Sequence, residues 1–467
     1  MSQRMQYDNV AWDRIDAEFD VWKDKLYQEE NLVAIGQFIA KHCGGSPVEL
    51  FSPIAGAFNV CLRISFQDGA SAMIRFPRPG SMFSAEEKVR KEVAVMRYVA
   101  DKTTIPVPFI FHYGMTEDSP AGLGPFIIME YIKHSDDING ILNTPGLERH
   151  ERPILDPNIS VDKLESVYSQ MAGILLQLSQ LSFDKIGSLE EVDKGRWAVT
   201  GRPLTFNTNE LVQMANFPPQ KLPSTTFSTS SDYYKALADV HLTHLSVQRN
   251  DAIKSAEDCR RRYVARHLFR QLAQESRLEA EVDTKATSLK PFRLFCDDLR
   301  PTNVLVDDEC NIVGVIDWEF AYVAPAEFTY SPPWWLLIEM PEYWPAGVED
   351  WTATYEPRLA LFLKALAAKE QEMVPQLNDD ERLSIRMRKY WDSGDFWINY
   401  AARKSWSVDL IFWEKLYKRF FGDDTDSDHA DVDKAVAGLG KQEREDMETL
   451  VAMKLEQKET RNLDSWA

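Results

Sequence analysis

Three residues of the types that bind a metal ion or accept a proton lie close together in the segment from 294 to 319. Asn303 follows Asp298 by five positions, and Asp317 follows Asp298 by nineteen positions, at the end of an apolar run. Phosphoryl transfer needs one carboxylate that accepts the proton of an attacking hydroxyl. It also needs a second carboxylate and an amide oxygen that hold Mg²⁺ against the nucleotide phosphates. Either acid alone is more often an ordinary turn residue, but the joint pattern favours phosphoryl transfer.

The letters around these residues form a motif. The pattern D-L-x-x-x-N, followed by an apolar strand that ends in I-D-W-E, resembles the Brenner-type motif of aminoglycoside phosphotransferases and choline kinases, and C-D-D-L-R-P resembles the fungal members of that phosphotransferase family. The resemblance can be followed over roughly residues 50–420. It implies that Asp298 is the catalytic base. It also implies that Asn303 and Asp317 bind Mg²⁺ and that Glu319 adds a metal or substrate contact.

By the same resemblance, an ATP-binding lobe precedes the motif and supplies a cation for the ATP phosphates. Arg75 is the candidate, although lysine is the commoner residue at this place in the family. Glu92 comes seventeen positions later, and helical spacing places it on the inward face of its helix, where a buried acid needs a cationic partner. We therefore predict a functional pair of Arg75 and Glu92. The alternatives are that this pair is only structural, or that Lys88 competes for Glu92.

Two further parts of an ATP site follow from position in the chain and from the resemblance. The loop at 54–59, which contains Gly56, lies between two predicted strands and would cover the phosphates, although a single glycine is a weak signal. The apolar strand that runs through Glu130 to Ile132 would connect two lobes, and the resemblance implies that its backbone holds adenine. The expected cofactors are therefore ATP and Mg²⁺.

The apolar periodicity changes along the chain. Alternating apolar residues predict strands at 60–66, 72–76 and 126–132, and short strands are predicted around the motif at 293–296, 303–306 and 312–316. Three- and four-residue spacing predicts helices at 12–26, 32–39, 84–100, 164–181 and 233–281, with a polar loop at 187–230. This order predicts an α+β fold: a protein-kinase-like two-lobed architecture with a small β-rich N-terminal lobe and a large, mainly helical C-terminal lobe.

The expected organisation has four parts: a helical extension at 1–45, a nucleotide-binding lobe at 46–132, a C-terminal lobe with the catalytic loop and a helical insertion at 133–420, and an acidic loop with a helical tail at 421–467. Within the tail, the aspartate-rich stretch at 422–433 is predicted as a solvated loop.

The amino-acid composition argues against some classes of binding partner and favours one type of compartment. The 467 residues carry a formal net charge of −20, with 53 Lys plus Arg against 73 Asp plus Glu, which argues against a nucleic-acid partner because such proteins carry a basic face. The five cysteines are odd in number and form no C-x-x-C pair, which favours a reducing compartment. Early acidic residues argue against a targeting peptide, and no apolar run suits a membrane helix. We therefore expect a cytoplasmic protein without a membrane partner.

The sequence departs from the family pattern at Cys296, where the usual motif has histidine. We interpret Cys296 as a residue that supports the loop and not as a nucleophile. This change, the glycine-poor loop and Arg75 in place of lysine favour a pseudokinase or nucleotide-binding scaffold without turnover. The retained set of Asp298, Asn303 and Asp317 favours an active enzyme. A kinase-fold enzyme with other ATP-dependent chemistry stays open.

The main functional prediction is an ATP- and Mg²⁺-dependent phosphotransferase that acts on a hydroxyl of a small molecule. The acidic charge is compatible with a cationic acceptor. Aromatic residues of the C-terminal half are interpreted as packing residues: Tyr330, Trp334, Trp335, Trp391, Trp397, Trp406 and Trp413. An acidic pocket for an amine, made by Asp392, Asp395 and Asp409, is an alternative that we do not favour.

Overall fold

The computed structural model describes residues 9–148, 151–279, 291–422 and 428–460. The first strands form one antiparallel sheet: β1 (Pro47–Leu50), β2 (Ile54–Ala55), β3 (Asn59–Phe66), β4 (Ser71–Pro77), β5 (Ile110–Gly114) and β6 (Phe126–Glu130). The strand order is β1-β3-β4-β6-β5, and β2 pairs with β3. In β3 the alternate residues Val60, Leu62 and Ile64 are buried, because the side-chain period of a strand places them on one face.

Three helices accompany this sheet: α1 (Asn9–Leu26), α2 (Glu29–Cys43) and α3 (Ala85–Lys102). Among the buried charged residues of α3, Lys88 and Glu92 each have 0% of their surface exposed. Charged groups are buried in proteins only when they are paired. The helix therefore brings two charges to partners that lie on other elements of the fold.

The rest of the chain forms a larger, mainly helical lobe. Its helices are α4 (Ile138–Leu142), α5 (Val161–Gln180), α6 (Phe206–Met214), α7 (Ser230–Val247), α8 (Ala256–Gln274), α9 (Ala326–Tyr330), α10 (Val348–Met373), α11 (Leu383–Asp392), α12 (Asp395–Arg403), α13 (Val408–Ile411), α14 (Tyr417–Phe421), α15 (Asp428–Gly438) and α16 (Lys441–Thr460). Its strands are β7 (Asp136–Asp137), β8 (Ser182–Phe183), β9 (Ser188–Asp193), β10 (Arg196–Gly201), β11 (Phe292–Cys296), β12 (Val304–Val306), β13 (Ile312–Val315) and β14 (Ala321–Pro325). The predicted two-lobed α+β fold is confirmed.

Two small antiparallel sheets carry the motif residues. One has the order β14-β11-β8, and the other has the order β13-β12-β7. The connections that leave β11 and β13 are hydrogen-bonded to each other, since Asp297 N donates to Phe320 O at 3.2 Å and Ile316 N donates to Asn303 O at 2.9 Å. The two sheets thereby bring residues 297–303 against residues 316–320.

The loop predicted at 187–230 is wrong for its first half. The strands β9 and β10 form a hairpin with Gly195 in its turn, at a φ of 72°, and α6 begins after Thr205. The hydroxyl of Thr205 accepts a hydrogen bond from Thr208 N at 3.1 Å and so caps the helix. The prediction was wrong because helix caps and tight turns contain the same polar residue types as loops.

The aspartate-rich stretch at 422–433, predicted as a solvated loop or linker, is helical from Asp428 onward. The helix α15 starts at Asp428, inside the stretch predicted as a loop, whereas residues 423–427 lie outside the described residues. The helix α16 docks on the helical insertion, where Lys454 Nζ donates to Ser246 O at 2.8 Å. The helical stretch predicted at 233–281 is divided into α7 and α8, and α8 ends at Gln274; residues 280 and 281 lie outside the described residues. Within the described ranges, no helix is both long and apolar enough to cross a lipid bilayer.

Candidate active site

The loop after β11 holds Asp298 by both of its carboxylate oxygens. Asn303 Nδ2 donates to Asp298 Oδ2 at 3.0 Å and to the Asp298 backbone oxygen at 2.8 Å. Arg300 Nε forms an ion pair with Asp298 Oδ1 at 2.9 Å. Burial raises the pKa of the Asp298 carboxyl above its usual range. The loop thus presents an oriented carboxylate with an increased affinity for a proton.

Asp317 follows β13 in an unusual backbone conformation. Its φ is +59°, in the left-handed region that aspartate tolerates better than most residues and that is often found at functional sites. The preceding residue, Ile316, donates its backbone N–H to Asn303 O, so Asp317 is adjacent to the loop that contains Asp298 and Asn303. Burial raises the pKa of Asp317 to about 7, although the guanidinium of Arg75 opposes this shift.

The oxygen atoms of Asn303 and Asp317 fit a magnesium site. The amide of Asn303 uses only its Nδ2 in the contacts with Asp298, which leaves Oδ1 available. Asp317 uses Oδ1 to bind Arg75, which leaves Oδ2 available, and 29% of the side chain is exposed. Carboxylate and amide oxygens are hard ligands of the kind that Mg²⁺ takes from proteins, and Mg²⁺ needs only one or two of them beside phosphates and water. The residues present therefore fit this ion.

Arg75 is the cation that joins the two lobes at this point. It lies in β4, opposite Cys61 and Ile127 of the neighbouring strands, and only 5% of its surface is exposed. Its Nη2 forms an ion pair with Glu92 of α3, and its Nη1 donates to Asp317 Oδ1 at 2.7 Å. The structure therefore contains the predicted pair of Arg75 and Glu92 and adds Asp317 as a second partner.

Lys88 has its main contacts elsewhere. It forms an ion pair with Glu319 and donates a hydrogen bond to Asn59 Oδ1, whereas its distance to Glu92 Oε2 is 3.9 Å. Asn59 Nδ2 also donates to Glu319 Oε2, at 3.0 Å. Burial opposes the effect, but the ammonium of Lys88, followed by the guanidinium of Arg75, keeps the pKa of Glu319 below its usual range. Lys88, Asn59 and Glu319 form a buried group that links α3, β3 and the segment after β13; we call it the Lys88 group.

We call residues 54–59 the covering loop and residues 130–132 the connector. Gly56 N donates to Asn59 O at 2.8 Å, which closes the turn between β2 and β3. Glu130 is the last residue of β6, and Ile132 follows it. The side chain of Ile132 lies over Gly314 of β13, where a Cβ atom would be 2.5 Å from Ile132 Cδ1. A larger residue at 314 would therefore require the Ile132 side chain to move.

A cavity of 260 Å³ lies beside Asp298, and we call it the acceptor cavity. Its wall includes Phe58 from the covering loop, Glu210 from α6, and Trp12 from α1. The rings of Phe58, Phe206 and Phe320 pack edge to face, with centroids 5.1–5.5 Å apart. Parts of both lobes therefore form the walls, and the volume is close to that of small-molecule sites.

The acidic groups of the acceptor cavity differ in their partners. Glu342 accepts a hydrogen bond from Ser407 Oγ at 3.2 Å, and Asp297 lies 3.5 Å from Arg403 Nη1. Across the described residues, by contrast, the Glu210 carboxylate receives no hydrogen bond and forms no ion pair. Burial raises the pKa of Glu210 to about 8. A bound molecule can therefore interact with Glu210 without displacing another side chain.

Several sequence-based interpretations of side chains can be compared with the structure. Cys296 ends β11 and is buried, and burial raises the pKa of its thiol well above the usual range, as suits a supporting residue. The favoured interpretation of Trp406 as core is wrong in part, because it lines the acceptor cavity, and so does Trp334. The unfavoured acidic pocket is absent: Asp392, Asp395 and Asp409 pair separately with Arg388, Arg419 and Arg266.

Sequence reasoning missed Glu210 as a site residue and did not find the contacts of Asn59. Glu210 belongs to the stretch that was predicted as loop, so no pattern placed it in the acceptor cavity. For Asn59 a signal existed, since it follows Gly56 by three positions at the start of a strand. An amide at that position can bond to both a cation and a carboxylate, as it does here with Lys88 and Glu319.

The chain is similar to several known proteins. Residues 59–362 match the model of the phosphotransferase enzyme family. The chain is similar to Altered inheritance of mitochondria protein 9 of Clavispora lusitaniae, with 24% identity over 286 residues, 56% of this chain and 46% of that protein. It is also similar to Clavilactone A biosynthesis cluster protein Y of Ampulloclitocybe clavipes, with 25% identity over 299 residues, 61% of this chain and 64% of that protein. The matches thus span less than two thirds of either relative's length.

Solved structures with a similar fold include a thermostable mutant of the aminoglycoside phosphotransferase APH(4)-Ia in complex with AMP-PNP and hygromycin B, with 15% identity, a TM-score of 0.40, and coverage of 81% of this chain and 98% of that chain. Another is Plasmodium vivax ethanolamine kinase, with 12% identity, a TM-score of 0.39, and coverage of 85% of this chain and 83% of that chain. Because the family model matches more than half of the chain, the predicted resemblance is confirmed: the chain belongs to the phosphotransferase enzyme family.

Proposed function

We propose that this protein transfers the γ-phosphate of ATP, with Mg²⁺, to a hydroxyl group of a small molecule that binds in the acceptor cavity. One observation carries the proposal. Asp298 lines the acceptor cavity and accepts a hydrogen bond from the side chain of Asn303. The backbone oxygen of Asn303 accepts a hydrogen bond from Ile316, the residue before Asp317. A proton acceptor and two candidate metal ligands thus belong to one hydrogen-bonded unit at the wall of a cavity.

Asp298 acts as the general base in this proposal. The acceptor oxygen forms a bond to the γ-phosphorus, the bond from that phosphorus to the oxygen of ADP breaks, and the hydroxyl proton passes to the Asp298 carboxylate. The raised pKa of this buried carboxyl favours proton uptake. Asn303 and Arg300 fix the two carboxylate oxygens, so the base is oriented before the acceptor arrives.

The nucleotide side of the site is built around Arg75. Its guanidinium, already fixed by Glu92 and Asp317, would contact the ATP phosphates. Asn303 Oδ1 and Asp317 Oδ2 would hold Mg²⁺, which when bound neutralises phosphate charge. Glu319 has committed Oε2 to the Lys88 group, so only its Oε1 could add a metal contact.

The remaining nucleotide contacts come from backbone segments. The turn at Gly56 would cover the phosphates, because it lies at the start of β3, close to the Lys88 group. The backbone of Glu130 and Ile132 would hold adenine, since this connector passes over β13, directly before the metal ligands. These two assignments rest on position in the fold and on the family resemblance.

The acceptor cavity is lined by acids and by five cations, and each of these cations forms an ion pair with an acid: Arg78, Arg152, Arg300, Arg403 and Lys404. We propose that the acceptor carries a positively charged nitrogen. Glu210 lines the acceptor cavity with a carboxylate that has no protein partner among the described residues. The aromatic ring of Phe58 lies in the same wall, and aromatic faces attract cations, whereas the Tyr343 ring already has the Arg152 guanidinium 3.8 Å from its centroid. A cationic acceptor would pair with Glu210 and favour its ionised form, offsetting the cost of burying that charge.

A pseudokinase is the weaker candidate. A scaffold without turnover has no need of an oriented carboxylate beside a cavity, yet Asp298 is held by two side chains. Arginine in place of lysine at position 75 does not favour a pseudokinase either, because the guanidinium contacts both Glu92 and Asp317 through separate nitrogens.

Thermal unfolding and ADP release test the proposal together. The melting temperature is measured without ligand, with ATP plus EDTA, and with ATP plus Mg²⁺, and a larger rise is expected with Mg²⁺. ADP release is then measured with a panel of amino alcohols and polyols, and it should depend on the alcohol. Asp298→Asn should abolish this dependence, whereas Asp308→Asn, on the exposed turn after β12, should preserve it. No nucleotide-induced shift, or equal ADP release by wild type and Asp298→Asn, would contradict the proposal.

A further inference from the structure

The N-terminal helix α1 forms part of the acceptor cavity although it lies outside the segment that matches the family. The family match begins at residue 59, whereas α1 comprises Asn9–Leu26. Trp12 and Ile15 of this helix line the acceptor cavity. Trp406, which follows the match at its other end, lines it as well. Elements outside the matched segment therefore shape the cavity.

The helix α1 is attached to both lobes. Arg14 Nη2 donates to Gln213 O at 2.9 Å and to Gln213 Oε1 at 3.1 Å, which attaches the helix to α6. Asp16 lies 3.3 Å from Arg78 of the segment after β4. The helix also passes so close to Gly80 that a Cβ atom there would be 2.9 Å from Ile15 Cα. These contacts keep α1 in place as a wall.

Four apolar side chains form one continuous surface on this side of the acceptor cavity: Trp12, Ile15, Met214 and Trp406, which we call the α1 wall. Ile15 and Met214 are nearly fully buried, with 2% and 5% of their surfaces exposed. Glu210 and Met214 are four residues apart on α6, so they share one face of that helix, about 5–6 Å apart. A free carboxylate and an apolar surface are therefore neighbours.

We propose that the acceptor is an amino alcohol with an apolar or aromatic substituent next to its charged nitrogen, and that Trp12 determines specificity by contacting this substituent. The nitrogen pairs with Glu210, the substituent packs on the α1 wall, and the hydroxyl reaches Asp298. The inference rests on the proposed phosphotransferase function and extends it to the class of acceptor. An apolar group buried against such a wall changes kcat/KM on the order of tenfold or more.

Three compounds of increasing apolar size serve as probes: 2-aminoethanol, 2-(butylamino)ethanol and 2-(benzylamino)ethanol. With MgATP, kcat/KM for each is obtained from ADP release. For the wild type we expect the benzyl compound to exceed 2-aminoethanol by about tenfold or more. Trp12→Ala should lose most of this preference for the benzyl compound while the KM for ATP stays constant. Trp12→Phe should retain part of the preference.

Trp22→Ala is the matched control on the same helix. Trp22 packs against Phe76 of the sheet and donates to Leu123 O at 2.7 Å, away from the acceptor cavity. We expect this variant to lower the melting temperature without changing the ratio between the benzyl compound and 2-aminoethanol. A change of the ratio only in the Trp12 variants supports a direct contact, because a general loosening of α1 would appear in Trp22→Ala too.

Three results would overturn the inference. The first is an equal ratio in the wild type and Trp12→Ala, and the second is a wild type that shows no preference for the benzyl compound. The third is no ADP release with any of the three probes while MgATP still raises the melting temperature; this result rejects the acceptor class and leaves the nucleotide site intact. Failure of MgATP to raise the melting temperature, in contrast, would remove the proposed function itself.

Discussion

The guanidinium of Arg75 donates from Nη1 to Asp317 Oδ1 at 2.7 Å, although 242 positions separate the two residues in the chain. The contact joins the sheet of the small lobe to the segment after β13 in the large lobe. Because the other side of the guanidinium pairs with Glu92, the cation has little freedom to move. The proposed phosphate contact and the candidate metal site would thereby be coupled through one side chain.

Substitutions of Arg75 should separate its charge from its shape. Arg75→Lys keeps the charge and matches the residue commoner in the family, so we expect substantial ATP turnover. Arg75→Ala removes the phosphate contact and leaves Glu92 without its main partner, so it should lose most of the turnover and some stability. Glu92→Gln should be intermediate, because an amide can still accept a hydrogen bond. ATP consumption is the measurement, and equal activity of wild type and Arg75→Ala would show that another cation serves the phosphates.

Asp298 and Asp317 should respond differently to the same substitution. Asp298→Asn removes the base but no phosphate or metal contact, so turnover should fall on the order of a hundredfold or more while MgATP affinity stays nearly constant. Asp317→Asn should lower both, since it alters a metal ligand and a partner of Arg75. MgATP affinity is measured by titration calorimetry. If Asp298→Asn weakens MgATP binding as much as Asp317→Asn does, the assignment of the two roles is wrong.

The Lys88 group should contribute to stability. Lys88→Met leaves the buried carboxylate of Glu319 without a cation, which typically costs about 3–5 kcal/mol. The double variant Lys88→Met/Glu319→Gln should recover part of this loss because no buried charge is left unpaired. Arg90→Met on the exposed face of α3 breaks a surface ion pair with Glu86 and should cost about 1 kcal/mol or less. The measurement is the free energy of unfolding of each variant in urea, compared with that of the wild type. A Lys88→Met variant as stable as Arg90→Met would contradict this account.

The pKa of Glu210, raised to about 8 by burial, gives a pH dependence with a defined sign. The carboxyl is mostly neutral at pH 6.5 and mostly charged at pH 9, so the KM for a cationic amino alcohol should fall as the pH rises through 8. Glu210→Gln should have a high KM that is independent of pH in this range. A wild-type profile that matches the variant profile would exclude Glu210 from acceptor binding.

As the pH rises, binding of the cationic acceptor should become tighter, whereas the folded protein should become less stable. An acid whose folded pKa is raised binds protons more tightly in the folded protein, so the free energy of unfolding falls as the pH rises from the usual carboxyl range to about 8. The melting temperature of Glu210→Gln, relative to wild type, should therefore increase between pH 5 and pH 8.5. A constant difference across this range would mean that burial does not shift the pKa of Glu210.

The centre of the site could be predicted from sequence because its parts are local in the chain. Asp298 and Asn303 share one loop, and Asp317 follows a strand that pairs with the strand after that loop. The pair of Arg75 and Glu92 could be predicted for a different reason. Strand alternation and helix spacing each fix the direction of one side chain, and a buried acid requires a cation.

The acceptor cavity could not be predicted in the same way. Its walls combine α1, α6 and residues 403–407 with the covering loop, and no local pattern connects elements so far apart in the chain. Glu210 was missed because the polar residues that cap α6 resemble a loop. Trp12 and Trp406 both pack against the cluster of Ala11, Ile15 and Met214, as expected of packing residues. Each of them also lines the acceptor cavity.

The most direct test of the central claim follows the phosphate itself. The wild type and Asp298→Asn are incubated with ATP labelled at the γ-phosphate, Mg²⁺ and a metabolite extract, and labelled small molecules are separated and identified. We expect the wild type to form a labelled phosphomonoester of an alcohol, and we expect Asp298→Asn to form on the order of a hundredfold less. If MgATP binds to the wild type and yet no labelled phosphomonoester forms, or the same amount forms with Asp298→Asn, the protein is not the phosphotransferase that we propose.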